Sequence, residues 1–532
     1  MVLRAPQTGK AGSAPASLGL AHAAMRAGNV ATARQMLQDR LAANPFDADA
    51  LHMLAEVATS QRSVEEATIL LRRAVSADPS PHRRMALIHH LQSYSNPATA
   101  LREIEQLPQA FRDRFDVRSM EAQILGILGL HDQQIRIYQQ MTRQEPDAPG
   151  LWVSLGNALK TVGRTAEAVR ALQRAIKVEP THGDAWWTLA NFKSHRFSAR
   201  DVHEMNQALR RELRPEDELN IHFALGKAYE DRGEYEASFR HYAAGNAIRA
   251  SGFTPDQKSM TAVVDEWLET LDADFFRRRE GGGNAARDPI FVVGLHRSGS
   301  TLVEQILASH PLVEGTTELA AMNTIRDRLQ RSTGLSAPTA VASLQRDEFA
   351  GIGQQYLDKT QPFRQTDRPY FVDKLPANWA NLPLIRLALP NAKIIDARRH
   401  PMACGFSNFK QNYAVGLGFS YSLETIGTFY RDYWRFMRRF DELQPRAVHR
   451  LINERIIEDP EGEVRRLLDF VGLPFDPACL EFHKTDRAIR TPSAEQVRKP
   501  INREGIDYWR QYEPWLGELK DSLGPALEHW ES

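Results

Sequence analysis

The sequence predicts an α-solenoid followed by an α/β domain with a parallel sheet, and three observations carry that prediction. Helical segments in the first half recur with a period near 34 residues. From residue 289 onward short apolar runs alternate with helical stretches, the pattern of a parallel sheet covered by helices. The first of these runs opens the stretch PIFVVGLHRSGSTLVEQILASHP (289–311), which turns through glycines and hydroxyls and continues as an amphipathic helix.

Composition bounds what such a chain does. Its 532 residues leave room for roughly two to four domains. With 67 basic and 67 acidic residues it is neither a polycationic nucleic-acid binder nor an acidic disordered chain, so no nucleic-acid partner is expected. The two cysteines, Cys404 and Cys479, form one bridge at most, which points to a reducing compartment and a cytoplasmic location. Residues 1–17 read as a flexible N-terminus without an apolar leader core, and no segment reaches the ~18 apolar residues of a membrane span.

The repeat region is assigned to 18–257. LWVSLGNALKTVGRTAEAVRALQRAIKVEP (151–180) sets Trp152, Leu155, Gly156, Leu159, Gly163, Ala168, Ala175 and Pro180 along two helices. Small residues let those helices approach, large apolar ones fill the groove, and the proline ends the second. Pro45 and Pro79 are 34 apart, Pro146 and Pro180 are 34 apart, and Pro215 follows 35 later. IHFALGKAYEDRGEYEASFRHYAAGNAI (221–248) repeats the pattern, with weaker members near 83–114 and 186–215. Residues 258–288 read as a helix and then a linker, RRREGGGNAARD (277–288). The last region, 289–532, carries the strands PIFVVGL (289–295), YFVDKL (370–375), AKIIDARR (392–399) and AVHRLINE (447–454). The two halves are expected to have separate cores, so that residues 259–532 would bind nucleotide alone.

Gly294 and Gly299 stand at the G-x-x-x-x-G spacing of a P-loop, with Thr301 where its metal-binding hydroxyl would be, but Ser300 takes the place of the lysine and Arg297 lies inside the loop. Backbone N–H groups and the hydroxyls of Ser298, Ser300 and Thr301 converge at a helix N-terminus, an anion site. Without the lysine a nucleoside triphosphate on magnesium is poorly served. A phosphosulfate carries less charge at the transferring group and needs no metal, so Arg297 with amides and hydroxyls suffices. Two alternatives stay open: a P-loop kinase or nucleotidase using ATP and magnesium, with Asp373 as the magnesium acid, and a scaffold that binds nucleotide without turnover.

Two resemblances extend this reading. The helical period resembles a tetratricopeptide array of about seven units over 18–250, which implies a superhelix whose concave face binds a protein or peptide; a dimerising or spacer role is the alternative. GLHRSGSTLVEQILASHPLV (294–313) resembles the phosphosulfate loop of sulfotransferases that use 3′-phosphoadenosine 5′-phosphosulfate (PAPS), and is most similar to the tyrosylprotein sulfotransferases. The resemblance covers about 289–512 and continues through KIIDARRHPMACGFSNF (393–409), in which Arg399 and Ser407 would hold the 3′-phosphate, with His400 in an acidic position. EGTTEL (314–319) implies Glu318 as catalytic base, and VDKLPAN (372–378) implies Lys374 as the electrophilic lysine. TPSAEQVRKPIN (491–502) implies Ser493 beside the sulfuryl group and Gln496, Val497, Arg498, Lys499 and Asn502 along the nucleotide. DPEGEVRRLLDFVGLPFD (459–476) is similar to a helix and turn common to the superfamily. The implied activity is metal-free sulfuryl transfer from PAPS to a hydroxyl of a peptide, glycan or lipid-linked acceptor, leaving adenosine 3′,5′-bisphosphate. Three positions depart from the family pattern: Asn453 for a tyrosine, Ala320 for an arginine, and Tyr508 for the lysine before Trp509.

Overall fold

The computed structural model describes residues 14–61, 63–94, 97–192, 195–252, 259–413, 417–485, 496–503 and 505–532. The chain divides into two compact units, residues 1–160 and 161–532. Among the described residues no helix is long and apolar enough to cross a membrane.

The first unit is a stack of helix pairs: Ala14–Arg26 with Val30–Ala43, Ala48–Ser60 with Val64–Ala77, Pro81–Tyr94 with Pro97–Glu105, and Phe115–Ile127 with His131–Gln144. Ala33, Ala50, Ala58, Ala67 and Ala74 are fully buried among Leu51, Leu54, Leu71 and Ile88, so small side chains set the close approach and large ones fill the space beside it. Caps fix where helices begin. The Asp47 carboxylate accepts from the Ala50 amide at 3.0 Å and from Arg40 Nε at 2.7 Å. The weak repeat near 83–114 keeps its pairing, but its second helix has only nine residues.

The second unit begins with more helices, Thr165–Val178, Gly183–Ala190, Ala199–Ala208, Pro215–Glu230 and Tyr235–Ser251. Pro215 at the first helical position and Glu216, Asp217 and Glu218 in the first turn suit a helix N-terminus. After Met260–Thr270 and Ala273–Arg277 the chain enters a five-stranded, all-parallel sheet: β1 (Pro289–Gly294), β2 (Val313–Gly315), β3 (Tyr370–Lys374), β4 (Lys393–Arg398) and β5 (Val448–Ile452). The spatial order is β2-β3-β1-β4-β5. β1 has β3 on one side and β4 on the other, which makes the carboxyl ends of β1 and β4 the switch point of the sheet. Gly294 pairs in register with Ala397 there. The four expected strands are present. β2 was not expected, because three residues are too few for an alternation or a run to register.

Two expectations are revised. The stretch read as a linker lies against the α/β layer, where the Asn284 amide donates to Ala388 O at 2.8 Å and Arg279 Nε to Leu344 O at 3.3 Å. The last repeats, moreover, do not keep a core apart from the sheet. Ser238 Oγ and Tyr512 Oη are 2.9 Å apart, Asn246 Nδ2 donates to Phe409 O at 2.8 Å, and Phe239 stacks on both Phe409 and Trp515. Apolar rings on Tyr235–Ser251 find more contact against the α/β domain than a solvent-facing last repeat would offer.

This packing predicts that a fragment cut at residue 259 melts roughly 10 °C below one cut at 161. The shorter piece leaves Phe409, Tyr512 and Trp515 without the rings of Tyr235 and Phe239 that cover them, a loss of about 3–5 kcal/mol. Differential scanning calorimetry on the two fragments measures the difference.

Candidate active site

The loop after β1 is shaped by backbone constraints. Gly294 has φ 138°, and a Cβ there would meet Ala397 O at 2.4 Å. Gly299 has φ 100°, and a Cβ there would meet Asn453 Oδ1 at 2.8 Å. Neither position tolerates a side chain without displacing backbone or a neighbour. Between them Arg297 is itself left-handed at φ 67°, a conformation that costs an L-residue about 1 kcal/mol or more. The helix Ser300–Ala308 follows at once, so its first-turn amides close the loop.

That strained arginine joins the two motifs. Arg297 Nε donates to Ser407 Oγ at 3.0 Å across 110 residues of sequence. Ser407 lies on the helix Pro401–Phe409, which leaves the carboxyl end of β4 as Ser300–Ala308 leaves that of β1. Asn408 Nδ2 ties the same helix to His296 O at 2.8 Å. Arg399 donates to Arg297 O at 3.4 Å and to Gly505 O, and its Nε is buried with no partner in the structure. Burial first, and then the like charge of Arg297, lower its affinity for protons. Its neighbour Arg398 is spent on structure, fully buried against Asp396 at 2.8 Å.

These groups open on a cleft of about 850 Å³, within the usual size of a ligand pocket. Of the expected nucleotide residues, Arg297, Gly299, Ser300, Thr301, Arg399, Ser407, Val497, Lys499 and Asn502 line it. Ser298 does not: its hydroxyl and amide both bond Leu295 O, at 2.7 and 3.3 Å, so it shapes the turn. Arg498 lies over Gly163, its Cζ 3.6 Å from where a Cβ there would sit. Ser493 and the Gln496 side chain fall outside the described residues. A further part of the wall comes from the repeats, including Trp187, Arg196, Lys227, Glu230, Asp231 and Tyr235. Six Lys and Arg residues face only two acids in this lining, a field suited to a polyanion.

Glu318 and Lys374 are brought to each other rather than into the lining. Lys374 Nζ donates to Glu318 Oε1 at 2.5 Å and lies 4.0 Å from Glu304 Oε2. Lys374 is buried, whereas the Glu318 side chain is 45% exposed. The Thr316 hydroxyl donates to Val372 O at 2.6 Å and so pins the Glu318 loop to β3. His296, between this pair and the loop, has its pKa pushed down to about 4, first by burial, and is neutral at physiological pH. His400 is also lowered by burial, and its ring stacks on Trp509 with centroids 5.5 Å apart. Glu304, Lys410 and Glu230 were missed in the sequence. Lys410, one helical turn past Ser407, had a signal in that spacing; Glu230, 180 residues from Lys410, had none.

Asp373, the magnesium acid of the kinase alternative, is fully buried and accepts from Tyr356 Oη at 2.9 Å. Asn453, in place of a tyrosine, lies beside Gly299.

Comparison with known proteins shows what parts of this chain are similar to. Residues 289–477 match the model of the sulfotransferase family, and residues 18–80 and 149–192 match tetratricopeptide-repeat models. The chain thus joins tetratricopeptide repeats to a sulfotransferase-family domain. It is similar to an uncharacterized protein of Aquifex aeolicus (28% identity over 72% of this chain and 51% of that one) and to a putative protein-tyrosine sulfotransferase of Caenorhabditis briggsae (26% identity over 41% of this chain and 80% of that one). It spans about half the length of the Aquifex protein. A solved structure it matches is the sulfotransferase domain from the Synechococcus PCC 7002 olefin synthase, at 23% identity and a TM-score of 0.32 over 44% of this chain and 90% of that one.

Burial pushes the Asp373 carboxyl up to about 7, against the hydrogen bond from Tyr356. A buried acid raised in this way costs the fold nothing below its unfolded pKa near 4; it costs progressively more as pH rises towards 7 and a constant amount above that. Asp373→Asn is therefore expected to raise stability at pH 8 by up to about 4 kcal/mol and to change little at pH 4. Denaturant melts at the two pH values measure this, and nucleotide binding that survives the substitution removes the magnesium-acid role.

Proposed function

We propose that the chain is a PAPS-dependent sulfotransferase acting on a hydroxyl acceptor. The observation that carries the proposal is the Arg297–Ser407 hydrogen bond, which unites two anion-binding motifs at the sheet's switch point. The residues fit such a donor: Gly294 and Gly299 leave a cradle that a Cβ would fill, and Arg399 holds a buried Nε without a partner. PAPS supplies an activated sulfuryl group on a phosphate leaving group. Arg297, Ser300, Thr301 and the first-turn amides would hold the phosphosulfate end, while Arg399 and Ser407 would hold the 3′-phosphate. Val497, Lys499 and Asn502 would flank the nucleotide, with Ser493, Gln496 and Arg498 assigned there by resemblance.

A hydroxyl acceptor is mostly protonated at neutral pH, a phenol having a pKa near 10. Glu318 would remove that proton. Its Oε1 is held by Lys374, which orients the carboxylate and leaves Oε2 to accept. Lys374, Arg297 and Ser493 are the groups assigned to the leaving oxygen. The acceptor class is a peptide hydroxyl, tyrosine included, or that of a glycan or lipid-linked molecule; the name of the Caenorhabditis relative supports the first. The transferase is assigned to 289–532 and the partner platform to 18–257, for a protein, a peptide or a second copy of the chain. Two buried free thiols, Cys404 and Cys479, support a cytoplasmic setting.

Arg399→Ala is expected to weaken adenosine 3′,5′-bisphosphate by about 2–3 kcal/mol in calorimetry with chelator present, while ADP changes little. Equal affinity of the wild type for the two nucleotides would overturn the assignment of the 3′-phosphate. Glu318→Gln is expected to bind adenosine 3′,5′-bisphosphate within a few-fold of wild type yet lose at least ~100-fold in labelled-sulfate transfer. Full transfer by that variant would place the base elsewhere.

A further inference from the structure

We propose that Lys410 is an additional contact for the donor's 3′-phosphate, and that Glu230, from the last repeat hairpin, is the residue that positions it. The helical repeats then form part of the nucleotide site itself. This inference rests on the donor reading above.

Lys410 caps the helix Pro401–Phe409 and stands three residues past Ser407, on the same helical face. Both residues line the cleft with Arg297 and Arg399. The Lys410 ammonium donates to the two oxygens of Glu230 at 3.0 Å each. It lies 4.7 Å from the Tyr508 ring centroid and 5.6 Å from that of Phe406. The ammonium is thus flanked by two aromatic faces and held by a forked carboxylate. An ammonium has three donors, so it can hold that carboxylate and still bond an anion in the cleft.

The Glu230 side chain is only 8% exposed. Tyr242 Oη donates to its Oε2 at 3.2 Å and Tyr512 Oη at 3.4 Å, and Tyr512 is held in turn by Ser238. Ser238 and Tyr242 belong to the hairpin formed by Pro215–Glu230 and Tyr235–Ser251, and Tyr512 comes from the C-terminal segment. An exposed lysine–glutamate pair contributes little and moves freely. This one is locked by four surrounding side chains in the wall of a cationic cleft. Removing the lysine alone would leave a buried carboxylate facing the bound anion.

The test uses the full chain as wild type, Lys410→Met, Glu230→Gln, and the two together. Each is titrated calorimetrically in chelator with adenosine 3′,5′-bisphosphate and with ADP, at a temperature where melting curves show the protein folded. Lys410→Met is expected to weaken adenosine 3′,5′-bisphosphate at least ~10-fold and ADP by no more than about threefold. Adding Glu230→Gln should recover several-fold of that loss, because the stranded carboxylate is gone. A general defect of folding would weaken both nucleotides alike, and that result overturns the proposal. So does unchanged affinity in Lys410→Met. A double variant no better than Lys410→Met overturns the role of Glu230. If the wild type binds neither nucleotide, the donor reading fails in its own control arm and this inference falls with it.

Discussion

The approach of β1 to β4 at Gly294 is the constraint on which the site depends. With 2.4 Å between a would-be Cβ and Ala397 O, only glycine lets the strands run to the same level before the chain turns. The turn then forces Arg297 to a positive φ and delivers its guanidinium to Ser407. Backbone strain at such a point is stable only when surrounding contacts over-determine it. Here Arg399 and Asn408 supply those contacts, bonding the carbonyls of Arg297 and His296.

Concentrating cations has a cost that the fold meets unevenly. Arg297, Arg399 and Lys410 share one cleft, where burial first and like charge after it oppose protonation of Arg399 and Lys410. Burial pulls Lys410 down while Glu230 pulls it up, and Lys410 with Lys227 holds the buried Glu230 carboxyl below its ordinary range. Arg398 and Arg399 show the division of labour within one strand end. The first is neutralised inside the core by Asp396, and the second is left at the rim with a donor to offer. Arg398 is the last residue of β4 and Arg399 lies just past it, so the same side-chain chemistry serves stability in one and is free for binding in the other.

The repeats change meaning in this setting. A tetratricopeptide array ends in a helix whose outer face needs a cap. The rings of Tyr235 and Phe239 meet that need against Tyr512, Trp515 and Phe409, within one compact unit. Tyr235 both caps the array and lines the cleft, so the last repeats cannot be exchanged without touching the site.

Much of this was legible in the sequence because it is local. The 34-residue period, the apolar runs of four strands, and the glycines and hydroxyls of the loop after β1 each depend on neighbours a few residues away. Arg399 and Ser407 were found through the resemblance of their motif to that of the sulfotransferases. What the sequence could not determine depended on distance along the chain. β2 exists because β3 offers it an edge, not because three residues prefer extension. Ser298 turned inward because Leu295 O was the nearest acceptor. Glu318 and Lys374, each identified singly, proved to be an ion pair only once β3 brought them together across 56 residues. The pairing of Lys410 with Glu230 spans 180 residues and two architectures, and no local pattern encodes it. Periodicity determined the elements of this protein; tertiary packing alone decided which charges would meet, because electrostatic partners are chosen by proximity in space.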